Sequence, residues 1–232
     1  RTHERSLEKA GIGSRSQELT IKAVAIAHDA CREVNEDALV FGCVAPLEDC
    51  YQPELAPDAA TCRKEHSQII SQLVDAGVDL VLLETMSCAH EVLAAIDAAE
   101  EITPGHWAVS LCLCEQEPVG VLLDGTPLHT FSDSFKGARF VGINCVAAPT
   151  LSEQVSHLNN LLDDDVDIAA YGNVGYADSK VGWINTDAIE PERYASYALQ
   201  WIDSGATIVG GCCGTTPETI SAIHQQLKIR ST

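Results

Sequence analysis

Three cysteines carry the most specific chemistry in this sequence. Cys212 and Cys213 are adjacent within Gly210-Gly211-Cys212-Cys213-Gly214-Thr215-Thr216-Pro217, and Cys145 stands about 67 residues earlier, closing Phe140-Val141-Gly142-Ile143-Asn144-Cys145. Neighbouring thiols make a strained ring if they pair with each other, but both can bind one metal when a third ligand arrives from elsewhere. Three thiolates would hold zinc tetrahedrally and leave the fourth position open, as catalytic zinc sites do. The other reading is three small packed side chains, since cysteine outside disulfides is among the most buried residue types. Spacing alone leaves both readings open.

The elements around these residues place them usefully. Thr207 to Val209 is a β-branched run that reads as a buried strand. It stops at two glycines, presents the paired thiols, turns at Gly214 and enters a helix through Thr215, Thr216 and Pro217. The thiols therefore sit where a strand ends and a helix begins, the face on which α/β proteins build active sites. The glycines on either side let the backbone pass close to whatever the thiols hold. Cys145 ends a second short apolar strand.

The rest of the chain repeats this unit. Residues 18–34 form an amphipathic helix with Leu19, Ile21, Ala23, Val24, Ala27 and Cys31 near helical spacing. A strand over 38–44 leads to a loop over 45–57 with three prolines, long enough to be functional or mobile. A helix over 58–76 closes at Gly77. Val78 to Leu83 is almost continuously apolar, as in a parallel strand covered on both faces, and ends at Glu84-Thr85. Then come a helix over 87–102, a strand over 107–114, and a helix reaching about Phe135 from Asp124-Gly125-Thr126-Pro127. A strand over 139–144 and a helix over 150–162 follow. Asp163 to Asp165 reads as a solvated loop. A strand over 166–170, a glycine-rich loop over 171–185 and helices over 191–204 and 217–227 complete the pattern. Six strands, each followed by a helix and with one helix in front, indicate a parallel sheet, open or closed. Polar and reactive residues cluster at the strand C-termini, which suits a (β/α)8 barrel two strands short.

Composition narrows the classes. A chain of 232 residues with 46% hydrophobic residues is one domain of ordinary size. Its net charge of −20 argues against nucleic acid or an anionic membrane as partner. No apolar run approaches the ~18 residues of a membrane span, and no signal peptide is visible. Ten irregularly spaced cysteines in a chain this long fit reduced thiols in the cytoplasm better than a secreted disulfide scaffold. The histidines form no pair at metal spacing; His3, His66, His106 and His129 read as surface, and His90 follows the strand that ends at Glu84. Ser110, Cys112 and Cys114 share one strand face and read as small core residues.

Three segments resemble the homocysteine S-methyltransferase family, the zinc-dependent enzymes that make methionine. They are Val141 to Cys145, Gly210 to Pro217, and Val78 to Thr85. The likeness runs in register over nearly the whole chain, including Asp124 to Pro127 and the helix ending at Trp201 to Gly205. It implies a (β/α)8 TIM-type barrel over residues 1–232 with zinc on Cys145, Cys212 and Cys213. It also implies that Glu84 helps hold the amino group of homocysteine, a role that suits a carboxylate at a pocket mouth. A helix-start carboxylate favoured by the macrodipole is the lesser alternative for Glu84. Two departures stand out. The family's first two strands have no counterpart, so the sequence reads as a fragment lacking them. Tyr171-Gly172-Asn173-Val174-Gly175 keeps only Tyr171, Asn173 and Gly175 of the family's Tyr-Pro-Asn-Ser-Gly, which makes Asn173 a candidate pocket residue.

The chemistry expected is attack of a homocysteine thiolate on a methyl group carried by a positively charged donor. A thiol with its ordinary pKa near 8.5 is mostly protonated at neutral pH, and metal binding removes that proton. In-line displacement then needs positioning more than a general base. With no cobalamin or folate module in view, a small sulfonium or betaine donor is the economical expectation. The alternative is a non-catalytic barrel remnant with structural zinc or packed cysteines. A redox role for Cys212 and Cys213 lacks the Cys-x-x-Cys spacing. The sequence does not indicate an oligomeric state.

Overall fold

The computed structural model describes residues 1–35, 37–178 and 180–230. The chain divides into two units, the first of Arg1–Val109 with Asp133–Arg139, the second of Ser110–Ser132 with the chain from Phe140 onward.

The first unit holds α1 (Glu4–Glu8), α2 (Ser16–Val34), β1 (Phe41–Val44), α3 (Ala59–Asp75), β2 (Leu80–Met86), α4 (Ala89–Ile102) and the start of β3 (Trp107–Leu111). β1 pairs parallel with β2, from Phe41 opposite Leu80 to Val44 opposite Leu83. α3 begins where it does because the Asp58 carboxylate accepts from the Ala60 and Thr61 amides at 3.0 and 3.1 Å, satisfying donors that the helix itself cannot. It ends at Gly77, whose φ of +88° suits glycine. Its inner face carries Cys62, His66, Ile69, Ile70 and Leu73, and Val92, Ala95, Ile96 and Ala99 of α4 are buried with the strand residues Val81 and Leu83.

Two histidines expected at the surface are buried. His66 falls in helical register with Cys62, Ile69 and Ile70, so it faces inward and has no exposure. Its Nε2 lies 3.0 Å from Glu91 Oε1, and the same oxygen accepts the Leu47 amide at 2.8 Å. Buried polar groups need such partners. The His3 ring stands edge-on to His66 with centroids 6.2 Å apart, and burial, followed by His66 and Arg1, holds its pKa down to about 3. His106 and His129 are exposed, as the sequence indicates.

The second unit holds β4 (Phe140–Ala147), α5 (Leu151–Leu161), β5 (Asp167–Asn173), β6 (Gly175–Asp178), β7 (Gly182–Asn185), α6 (Pro191–Asp203), β8 (Ile208–Val209) and α7 (Pro217–Arg230). β4 pairs parallel with β5, and β5 with β8 through Ala169 opposite Ile208 and Ala170 opposite Val209. Every residue of β4 is buried, as a parallel strand covered on both faces requires. On α6, Tyr194 and Trp201 meet edge-on at 5.4 Å, and the Trp201 indole donates to the Ala148 carbonyl at 3.2 Å. The architecture is α/β, with parallel strand pairs and helices alternating along the chain.

Two local expectations are corrected. The glycine-rich stretch after Tyr171 is not all loop: β6 and β7 form an antiparallel hairpin. The Asp178 carboxylate accepts the Lys180 and Val181 amides at 2.8 and 2.9 Å, an Asx-type turn, and Gly182 follows at φ +87°. The stretch Leu128–Phe135 is 3-10 rather than α-helical and breaks at Phe131, whose φ is −134°.

Candidate metal centre

The sulfurs of Cys145, Cys212 and Cys213 converge in the second unit, all within 4.8 Å of one another. Cys145 Sγ is 3.3 Å from Cys212 Sγ and 3.9 Å from Cys213 Sγ. Three sulfurs bound tetrahedrally to one zinc at about 2.3 Å would stand roughly 3.8 Å apart, so the donor set fits a single small ion. Cys145 is buried, Cys212 half-buried and Cys213 exposed, which leaves one side of the cluster facing solvent. None of the ten cysteines is joined in a disulfide.

Local backbone features aim these sulfurs. Along β4 and β5 the register steps from Asn144 opposite Tyr171 to Ala147 opposite Asn173, so β4 carries one extra residue there. Such a bulge re-aims the side chain at its crest. That residue is Cys145, held at φ +59° in the left-handed region that non-glycine residues seldom enter. The paired cysteines are laced to β5 by backbone bonds from Cys212 N to Gly172 O at 3.0 Å and Val174 N to Cys213 O at 3.0 Å. Asn173 Oδ1 accepts the Cys213 amide at 3.1 Å, and the Thr215 hydroxyl donates to Cys212 O at 2.8 Å. A Cβ on Gly211 would lie 2.4 Å from Thr215 Oγ1, so the close turn into α7 requires glycine there.

The thiols are electrostatically unequal. The sulfur–sulfur hydrogen bond with Cys145 draws the Cys212 pKa below the ordinary thiol range despite burial, with Asn144 assisting. The same bond, burial and the nearby sulfurs push Cys145 upward. An incoming cation would therefore meet one sulfur already disposed to be a thiolate, the form that binds metal.

Residues 1–227 match the family described as homocysteine S-methyltransferase. The chain belongs to that family. It is 28% identical over 166 residues to Homocysteine S-methyltransferase 3 of Zea mays, across 70% of this chain and 48% of that protein. It is 28% identical over 173 residues to the selenocysteine methyltransferase of Astragalus bisulcatus, across 72% of this chain and 50% of the relative. It thus spans about half the length of these relatives. In fold it is similar to the oxidised form of the homocysteine methyltransferase MmuM from Escherichia coli, with a TM-score of 0.80 and 26% identity, covering 96% of this chain and 75% of that one.

Of the candidate residues that the family resemblance suggests, the three cysteines and Asn173 come together in the second unit. Glu84 belongs to the first unit and lies inside β2, two residues before its end at Met86, where its Oε2 accepts from the Cys43 thiol at 3.0 Å. His90, near Glu84 in sequence, bonds the Pro57 carbonyl at 2.7 Å and lies 3.1 Å from Cys88 Sγ. Sequence reading gave no role to Tyr194, whose hydroxyl donates to Gly172 O at 2.6 Å and reaches Gly210 O at 3.2 Å, tying the β5 end to the approach of the paired cysteines. It also left Ser110 as a small core residue and gave Asn144 no role of its own. The only available signals were the Asn beside Cys145 and a serine in an otherwise apolar strand. Among the described residues no helix is long and apolar enough to cross a membrane.

Proposed function

We propose that this chain carries the thiol-activating centre of a zinc-dependent methyltransferase, which moves a methyl group from a small sulfonium or betaine-type donor to homocysteine, giving methionine. The convergence of three cysteine sulfurs from two strand ends within 4.8 Å is the observation that carries this reading. Cys145, Cys212 and Cys213 are the proposed ligands; zinc held there would bind the acceptor sulfur at its open position and lower that thiol's pKa.

The chain's own residues supply geometry. The bulge at Cys145 and the hydrogen-bonded turn at Cys212 and Cys213 fix three sulfurs before any acceptor arrives, the preorganisation that in-line transfer demands. Partial burial keeps water from competing on the inner side, while Cys213 marks the face open to an acceptor. Glu84 is the proposed partner of the acceptor's ammonium group. Asn173 commits its Oδ1 to the Cys213 amide, so the group it offers an acceptor is Nδ2. We further propose that residues 1–232 are one homocysteine-binding domain whose parallel strands belong to a (β/α)8 barrel. Thiols without disulfides fit the reducing cytoplasm.

The test is zinc content per chain for the parent protein and for Cys212→Ser, followed by methylation assays with sulfonium and betaine donors. About one zinc per parent chain, lost in the variant, together with donor-dependent methionine formation supports the reading. A folded parent without zinc, unchanged by the substitution, leaves packed cysteines instead. Zinc that stays bound while homocysteine never perturbs it indicates a structural site.

A further inference from the structure

Ser110 on β3 and Asn144 on β4 are polar, have no exposure to solvent, and sit directly behind the cysteine cluster. Ser110 Oγ donates to Asn144 Oδ1 at 2.8 Å, and Asn144 Nδ2 points at Cys212 Sγ at 3.8 Å. All three residues belong to the second unit. We propose that Ser110 and Asn144 form a positioning relay that orients the Cys212 sulfur and moderates its electron donation to the metal. The proposal rests on the metal-centre reading and deepens it.

The physical case starts from the carboxamide. Its two ends differ in polarity but hardly in shape, so packing alone does not decide which faces the sulfur. A hydroxyl can donate or accept, so Ser110 and the sulfur set the orientation together: Ser110 gives its proton to Oδ1 and the N–H end is left for Cys212. The reversed amide would set oxygen lone pairs against sulfur lone pairs. A buried polar pair also costs stability unless its groups find partners, and here the partner of the amide is the sulfur. An N–H···S bond occupies one sulfur lone pair and withdraws charge from it. It thereby restricts the rotation of Cys212 and weakens its donation to a bound cation. For affinity the orienting effect outweighs the reduced donation: groups that fix a metal ligand in place are commonly worth about 10–100-fold.

Cobalt(II) is the probe, because sulfur-to-cobalt charge-transfer absorption reports how electron-rich the ligating sulfur is. Asn144→Leu keeps the volume and removes the N–H. It should weaken zinc binding roughly 10–100-fold in competition with a chromophoric chelator, and shift the cobalt band to lower energy. Ser110→Ala removes one oxygen and frees the amide to turn. It should move both readouts in the same direction by less, and the double variant should match Asn144→Leu rather than the sum of the two. If Asn144→Leu does not fold, Ser110→Ala carries the test on the same band. Folded variants with the parent's cobalt spectrum and zinc affinity would overturn the relay alone. A parent that binds neither ion would overturn the metal centre and the relay with it.

Discussion

Tyr194 shows how much of the centre is held by groups that never touch it. One hydroxyl has one proton, and it goes to Gly172 O at 2.6 Å, with Gly210 O as the weaker second acceptor at 3.2 Å. Tyr194→Phe should cost about 1–2 kcal/mol in urea unfolding, and zinc affinity should fall with it because both carbonyls flank the paired cysteines. Glu84→Gln keeps the shape and removes the charge. If Glu84 pairs the acceptor's ammonium group as proposed, this should raise KM for homocysteine roughly tenfold, about 1.4 kcal/mol, with kcat near the parent's; an unchanged KM would return Glu84 to its contact with Cys43. The cysteines were legible in the sequence because one strand delivers a single thiol and another is followed by two, each in a recognisable local frame. Ser110, Asn144 and Tyr194 were not, because their partners lie 34, 68 and 22 residues away and no local pattern encodes such meetings. His66 was misplaced for the same reason: a histidine on a helix reads as polar until Glu91 is found beside it.

At the scale of elements, the turns decide whether the sulfurs meet. Gly214 combines φ +82° with a would-be Cβ only 2.3 Å from Val174 Cγ2, so both strain and collision oppose any side chain. Gly214→Ala should destabilise the fold by about 1–3 kcal/mol and release zinc at lower chelator concentration than the parent. Asp58→Ala, which removes the α3 cap, should cost about 1 kcal/mol and leave metal binding unchanged, which separates general stability from the centre. Alternation of strand and helix was readable throughout, because apolar runs and helix-start residues are local signals. The β6–β7 hairpin was not, since its register depends on an Asp178 turn with a short and glycine-bounded pattern on either side. The break at Phe131 likewise follows from backbone geometry that helix propensity does not capture.

For the molecule as a whole, the net charge of −20 is the dominant long-range term. Repulsion among excess carboxylates opposes compaction, and salt screens it within about 8 Å at physiological ionic strength. Raising sodium chloride from low to moderate concentration should therefore raise Tm; a flat response would show that local ion pairs already balance the charge. Composition alone revealed this much, while the division into two units, with Asp133–Arg139 belonging to the first, emerges only from the folded chain. The bulge at Cys145 has a consequence for how such a sequence can change. An L-residue in the left-handed region gives up roughly 1–2 kcal/mol that glycine would not. In metal-free protein Cys145→Gly should therefore be more stable than Cys145→Ala, the backbone cost outweighing glycine's greater unfolded-state entropy. The thiol therefore occupies a place where backbone energy alone favours glycine, a cost the apo fold carries to keep a ligand in reach.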